Sequence, residues 1–388
     1  MDRRAEFIAA CEKSDMTVTA VCQEFGISRK TGHKWLNRRR EVLSDRSHRP
    51  HSSPFQTTSE VEELLILLKA ERPRWGPKKL VTLLDWFWPE VKRPAASTAS
   101  RILKLHDLVE ERPERRKQIR RATPLVEASA PGECFSIDHK GHFALRNGRR
   151  CYPLTITDNF SRYLLKCTAL YGIETKPARL VIEEAFEENG LPERIRTDNG
   201  SPFCGNRGLA ISSLSLWWMR LGIIHERIAS GQPQQNGRHE RMHKTLKAEA
   251  TLKPGFDCRA QQRQFDVFVR EYNQERPHEA LEMNTPTSMH ARSARPLPKH
   301  LPPLRYPPHF ERYRINRSGQ LSIEGQRYFI SEVLAQEEVG LEHLPADKLR
   351  VWAGHLPLGA VDLPTKCFQI YDEDEQLTAN QVLPITPV

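Results

Sequence analysis

Near the start of the chain, apolar positions recur at helical spacing. Phe7, Ile8 and Cys11 share one face, and Val18, Val21, Cys22 and Phe25 share another at i, i+3, i+4 and i+7. Gly26-Ile27-Ser28 then supplies a tight turn, with Ser28 placed to cap a helix over Arg29–Arg39. That helix carries Lys30, His33, Lys34, Trp35 and Arg38. Helix, glycine turn and basic helix make the pattern of a helix-turn-helix, whose second helix enters the major groove of DNA. The competing reading is a plain helical hairpin with a solvated basic face. Agreement of turn, cap and the Trp35 anchor favours DNA, with Lys30, His33, Lys34 and Arg38 as contacts.

After a polar stretch with Pro50 and Pro54, a second helical pattern runs from Ser59 to Leu108. Val61, Leu64, Leu65 and Leu68 form one stripe, and Pro77 sits near the first turn of another helix. Ser97 is a candidate cap for Thr98–Leu105, with Ile102 and Leu105 on its apolar face. A weaker second helix-turn-helix is predicted here. Glu110–Arg121 is charge-dense. Its Arg115, Arg116 and Lys117 form a basic run that is either simply solvated or tracks phosphates.

The patterning changes near Pro131. Phe135–Lys140, Tyr152–Asp158 and Tyr163–Leu170 read as strands, with the hairpin signal Asn147-Gly148 between the first two. An amphipathic helix follows over Lys176–Asn189, with Leu180, Ile182, Ala185 and Phe186 as its apolar residues. Strand Arg194–Asp198, helix Leu209–Leu221, strand Ile223–Ile228 and helix Pro233–Ala250 complete the series. Three antiparallel strands and then alternating helices and strands predict a mixed α/β sheet. Gln232–Gly237 is polar and reads as a mobile loop, and Phe265–Tyr272 continues the helical material. Arg295–Pro308 is proline-rich and predicts a semi-rigid linker. Beyond it, Tyr313–Ile315, Leu321–Ile323, Tyr328–Ile330 and Leu349–Trp352 are short strands with a Ser318-Gly319 turn, predicting a small β-barrel.

Composition narrows the partners. The chain has 388 residues and a net charge of +10, which suits several domains and a polyanionic partner. The longest apolar stretch, Leu64–Leu68, is far too short to span a bilayer, so no membrane partner is expected. Met1–Asp15 is charged throughout, so no signal peptide is expected. Cys11, Cys22, Cys134, Cys151, Cys167, Cys204, Cys258 and Cys367 form no CxxC pair and no zinc-ligand spacing with histidine, which predicts free thiols in a reducing cytoplasm and no zinc.

The sharpest chemical signal is three separated acids. Asp138 ends a strand, Asp198 ends another ahead of Asn199-Gly200, and Glu240 lies on a predicted helix with His243 and Lys244 at i+3 and i+4 and Lys247 a turn further. Singly each has a plain reading, since Asp-Asn-Gly is also a turn sequence. Together they supply the hard oxygen ligands that two divalent cations need for phosphodiester chemistry. Asp158 also follows a strand and stands as a substitute for Asp138.

Ser136-Ile-Asp138-His-Lys-Gly141, Arg196-Thr-Asp198-Asn-Gly200, Pro233–Leu246 and Tyr272-Asn-Gln-Glu-Arg-Pro-His278 with Thr285-Pro286 resemble the motifs of insertion-sequence DDE transposases, relatives of retroviral integrases. The resemblance covers nearly the whole chain. It implies a multidomain protein with N-terminal all-α helix-turn-helix units, a central α/β RNase H-like core with a mixed sheet, and a C-terminal small β-barrel. The domains would span 1–45, 59–110, 131–294 and 311–388, with linkers at 46–58, 111–130 and 295–310. Asp138, Asp198 and Glu240 match the family's catalytic and metal-binding acids, and Lys244 matches a DNA-contacting lysine; Asn236 and Lys247 join it as expected DNA contacts. Mg²⁺ is the implied cofactor, with Mn²⁺ as a substitute.

The implied activity is cleavage at transposon ends and joining of 3′-hydroxyl ends to target DNA. A homo-oligomer on double-stranded DNA, with terminal inverted repeats and target as substrates, would do this in a bacterial cytoplasm beside the nucleoid. Two alternatives stay open: a catalytically silent DNA-binding regulator, and a metal-dependent DNA nuclease that does not join. The sequence departs from the family pattern at His139, where an aromatic such as Phe is usual. The Asp198–Glu240 interval is also long, with Cys204–Ser213 as a candidate insertion, and the zinc-binding N-terminal module of retroviral integrases has no counterpart.

Overall fold

The computed structural model describes residues 3–13, 15–38, 56–109, 125–205, 211–229 and 231–371. The chain divides into two compact units, Met1–Ser59 and Glu60–Val388.

The first unit holds α1 (Arg3–Lys13), α2 (Val18–Glu24) and α3 (Arg29–Asn37). Ser28 caps α3 as predicted, its Oγ accepting from the Thr31 amide at 3.1 Å. Gly26 makes the turn at φ 64°, a conformation that favours glycine. Phe7 is fully buried and meets Phe25 and Trp35 edge-on, both at 5.5 Å between ring centroids. A glycine inside α3 has a packing reason, because a β-carbon on Gly32 would overlap Cys22 Sγ. With α3 held this way, Lys30, His33 and Lys34 are exposed and Arg38 is half-buried.

In the second unit, α4 (Ser59–Glu71), α5 (Pro77–Phe87) and α6 (Ala96–Leu105) enclose a core of Val61, Leu65, Leu68, Leu80, Leu84 and Leu103. Pro77 opens α5 as expected. In contrast to the predicted Ser97 cap, α6 starts at Ala96, and Leu105 is 76% exposed. The buried face of α6 is Ala99, Ile102 and Leu103, an i, i+3, i+4 set that turns Leu105 to solvent.

This helical unit is tied to the residues after α10 (Cys258–Arg270) by Arg72–Glu275 at 2.6 Å and by a Lys78–Glu279 pair. The Arg276 guanidinium lies 5.5 Å from the Trp75 ring centroid. Lys79 is caught in the same attachment. Burial first, and then Arg276, pull its ammonium down to about 7. Its folded value is below its unfolded one, so the charge costs stability at neutral pH, and that cost is relieved as pH rises toward 10.5. A Trp75 contact at 5.9 Å offsets part of it. Lys79→Met is therefore expected to raise the melting temperature near neutral pH by roughly a few degrees. It should also flatten the alkaline rise in stability, which a melting series against pH would read.

The central sheet contains β1 (Cys134–His139), β2 (Phe143–Ala144), β3 (Arg150–Asp158), β4 (Leu164–Leu170), β5 (Arg194–Thr197) and β6 (Ile224–Arg227). Strand β3 is antiparallel to β1, β2 and β4, whereas β1, β5 and β6 run parallel to one another. The sheet is mixed, as the order of elements predicts. Helices α7 (Thr175–Asn189) and α8 (Ser213–Arg220) cover one face, where Phe135, Ile137, Ile182, Phe186 and Trp218 meet. Helices α9 (Gly237–Ala250) and α10 cover the other, where Leu164, Met242, Leu246, Phe265 and Phe268 meet. Burial on both faces is why β1 reads as a run of apolar and small residues. The apolar face of α7 is rotated from the predicted one. Val181 is buried, and Leu180 is 55% exposed.

Pro233–Asn236, expected to be loop or the start of the helix, is a separate 3-10 turn ahead of α9. Buried Arg196 anchors it by donating to the Gln235 carbonyl at 3.3 Å while pairing with Glu226 at 2.7 Å. The Tyr272–His278 run is a brace. The Asn273 amide accepts from the Leu164 amide and donates to its carbonyl, both at 2.9 Å, and Arg276 holds Glu249 on α9 at 2.7 Å.

Toward the C-terminus, β7 (Glu311–Arg314), β8 (Gln320–Ile323), β9 (Gln326–Phe329), β10 (Glu338–Leu344), β11 (Lys348–Ala353), β12 (Leu356–Asp362) and β13 (Cys367–Ile370) form a β-domain. The predicted closed barrel is not what the hydrogen bonds make. Five strands run β13-β12-β11-β10-β7 as an open sheet, and β8–β9 is a separate hairpin. The hairpin strands, four residues each, lie beside the edge strands β7 and β13 without joining their ladders. They still contribute Leu321, Ile323 and Tyr328 to a shared core, which Leu216 of α8 also enters. The proline-rich segment before β7 is likewise fastened: Leu297 and Leu301 pack on the central core, and Arg295 donates to the Pro192 and Leu221 carbonyls.

Candidate active site

Parallel strands carry their ligand sites at their carboxyl ends, and two of the three acids stand there. Phe135 faces Ile195 and Ser136 faces Arg196 across β1 and β5, the latter pair lying two residues before Asp138 and Asp198. Asp198 follows β5 in a turn, its Oδ1 accepting from the Gly200 amide at 3.0 Å. Turn and site are compatible here, and Gly200 fits for a local reason: a β-carbon would stand 3.1 Å from Asp198 Oδ2. Glu240 is exposed in the first turn of α9, with Lys244 and Lys247 exposed one and two turns beyond.

Asp138 feels the charges of both other acids. Burial, then the Asp198 charge and with a smaller push from Glu240, raise the Asp138 carboxyl to about 7. Lys140 partly offsets this. Mutually repelling carboxylates with hard oxygen donors are a donor set suited to a divalent cation.

A buried polar cluster fixes α9 against β3. Thr155 Oγ1 contacts the Asp138 carbonyl at 3.0 Å and the Nε2 atoms of His239 and His243 at 2.7 Å each. Thr157 Oγ1 meets His239 Nδ1 at 2.7 Å. His243 Nδ1 lies 3.7 Å from Asp138 Oδ2. Burial holds His239 neutral, with its value lowered to about 3, and lowers His243 further. Thr155→Val would leave two buried imidazole N–H groups without an acceptor. A loss of about 1–3 kcal/mol per orphaned donor is expected, whereas Thr155→Ser should keep most of the stability. Urea unfolding midpoints of the two variants would show the contrast.

Among the described residues, Asp138, His239 and His243 form a cluster of metal-ligand type, with donor atoms within 4.8 Å of one another. The sequence reading placed His243 only as a helix neighbour of Glu240 and passed over His239 and Thr155. The available signal was that both histidines share the buried face of α9 with Met242, Leu246 and Ala250.

Other expected site residues fall elsewhere. Asn236 is buried in the 3-10 turn, not presented at the surface. Asp158 is fully buried and spent on structure, accepting from the Ser161 and Gly132 amides at 2.9 and 3.3 Å. Arg115, Arg116 and Lys117 lie outside the described residues. Lys30, His33, Lys34 and Arg38 belong to the first unit. His139 stacks on Phe203 with centroids 5.8 Å apart, and burial lowers it to about 4, so it acts as a neutral aromatic ring.

This geometry accords with sequence comparison. The integrase core domain family matches residues 128–233 and again 221–286, and a homeodomain-like domain family matches residues 1–41. The insertion element IS476 uncharacterized 39.2 kDa protein of Xanthomonas euvesicatoria is 29% identical over 263 residues, 65% of this chain and 72% of its own length. The insertion element IS407 uncharacterized 31.7 kDa protein of Burkholderia multivorans is 25% identical over 280 residues, 71% and 95% of the two chains. Among solved structures, the simian T-cell lymphotropic virus intasome in complex with a PP2A regulatory subunit aligns with 18% identity and a TM-score of 0.36, covering 71% of this chain and 91% of that chain. The class is thus an integrase-core protein with an N-terminal homeodomain-like helix-turn-helix. Within that class, the chain is similar to proteins of bacterial insertion elements, which supports reading it as an insertion-sequence DDE transposase. No helix among the described residues is long and apolar enough to cross a membrane.

Proposed function

We propose that this protein cleaves at the ends of a mobile DNA element and joins the freed 3′-hydroxyls to target DNA, with Asp138, Asp198 and Glu240 as its catalytic, metal-holding acids. The observation that supports the reading is the parallel β1–β5 pairing, with Asp138 near the carboxyl end of β1 and Asp198 directly after β5, together with the Asp198 and Glu240 charges that act on Asp138. Two Mg²⁺ ions, or Mn²⁺ in their place, would when bound activate the attacking hydroxyl and stabilise the leaving oxygen. The chain's own residues position the DNA. Exposed Lys244 and Lys247 extend from Glu240 along α9 and hold backbone phosphates. Lys30, His33, Lys34 and Arg38 on α3 read the terminal inverted repeats, and Arg115, Arg116 and Lys117 add phosphate contacts. Two ends must be paired, so the working form is a multimer on DNA.

End-labelled DNA carrying the inverted repeats that flank the coding region tests this with Mg²⁺ and an unlabelled target. Joined products support the reading. Nicked ends without joining would make the protein a nuclease, and binding without either product would make it a regulator.

A further inference from the structure

We propose that His243 is a nitrogen ligand of the divalent cation held at Asp138, making the site a mixed imidazole–carboxylate centre, with His239 excluded from it. The proposal rests on the reading of Asp138 as a metal ligand and adds a residue to it. Hydrogen counting in the cluster supplies the argument. Thr155 has one hydroxyl proton, and the Asp138 carbonyl can only accept, so the proton goes to that carbonyl. Thr155 Oγ1 must then accept from both imidazoles, and His239 and His243 both carry their proton on Nε2. His239 Nδ1 is left with a lone pair that Thr157 fills by donating its own hydroxyl proton. Both nitrogens of His239 are spent.

His243 differs at one atom. Its Nδ1 lies 3.7 Å from Asp138 Oδ2, beyond hydrogen-bond reach, and makes no hydrogen bond among the described residues. The side chain as a whole is only 8% exposed. Two electron-pair donors at this separation fit a shared cation, and the Nε2–H bond to Thr155 fixes tautomer and ring orientation as metal-bound histidines require. An imidazole among carboxylates moves preference away from Mg²⁺ toward transition metals such as Mn²⁺.

Mn²⁺ titrated into the full-length protein and read by electron paramagnetic resonance tests this without any DNA reaction. The wild type and His239→Gln are expected to show nitrogen hyperfine coupling to Mn²⁺. His243→Gln keeps a donor for Thr155 but loses the Nδ1 ligand; it should lose the coupling and bind Mn²⁺ roughly ten- to a hundredfold more weakly. Circular dichroism and melting of each variant separate misfolding from ligand loss, and His243→Asn, with an oxygen near the Nδ1 position, should bind Mn²⁺ without nitrogen coupling. Bound Mn²⁺ with no nitrogen coupling in the wild type, or coupling that persists in folded His243→Gln, overturns the assignment. Asp138→Asn separates the two levels: if it binds Mn²⁺ like the wild type, the carboxylate reading itself fails.

Discussion

Asp138→Asn and Asp198→Asn are each expected to lower DNA cleavage and joining by a thousandfold or more, on the order of what loss of a charge-stabilising group in a reaction centre costs. The amide is close in shape to the carboxylate, so the fold should be kept. For Asp138 it removes a buried charge that Asp198 and Glu240 already oppose, and the metal-free protein should become no less stable. Asp198→Asn keeps an oxygen for the Gly200 amide, so the turn survives while the anionic ligand is lost. Binding of labelled end DNA should be retained in both, because the basic helix lies in the other unit. Single-turnover rates beside mobility-shift titrations separate these effects. A variant that loses DNA binding and catalysis together would speak for misfolding.

The second large effect belongs to α3. Its fold rests on Phe7, Trp35 and the Gly32–Cys22 contact, all on the side away from the exposed Lys30, His33 and Lys34. Charge reversal in Lys30→Glu/Lys34→Glu should therefore leave the helix intact and act on DNA alone. Each lysine that neutralises a phosphate releases about one counterion. Losing two should weaken binding by roughly a hundredfold or more at moderate salt and reduce the slope of log affinity against log salt by about two. An unchanged affinity together with an unchanged slope would mean that α3 does not contact the DNA, and the major-groove reading would fall.

Local chemistry made the helix-turn-helix legible: a glycine turn, a serine cap and a short helical period sit within one stretch of sequence, and all three form as read. The mixed sheet was legible from element order. Faces were harder. Leu105 and Leu180 look interchangeable with their apolar neighbours until packing chooses which side turns inward. Strands β10 and β12 escaped, and each holds residues that weaken a strand signal, Gly340 in the first and Pro357 and Gly359 in the second. Gly340 is in fact a packing site, where a β-carbon would overlap Tyr306. At the candidate site, strand-end acids and a helix-borne glutamate leave a trace in sequence. The histidine–threonine cluster leaves little, since Thr155 and His239 are 84 residues apart and only the folded sheet joins them.

The proposed centre for DNA joining unites three acids, one on β1, one directly after β5 and one on α9. Glu240→Gln tests it most directly, because Glu240 is exposed and the exchange is nearly isosteric, so folding and α9 should be unaffected. In a strand-transfer assay with labelled element ends and Mg²⁺, the wild type is predicted to give joined products and Glu240→Gln to give none above background. Joined products at the wild-type rate from the Glu240→Gln protein would contradict it.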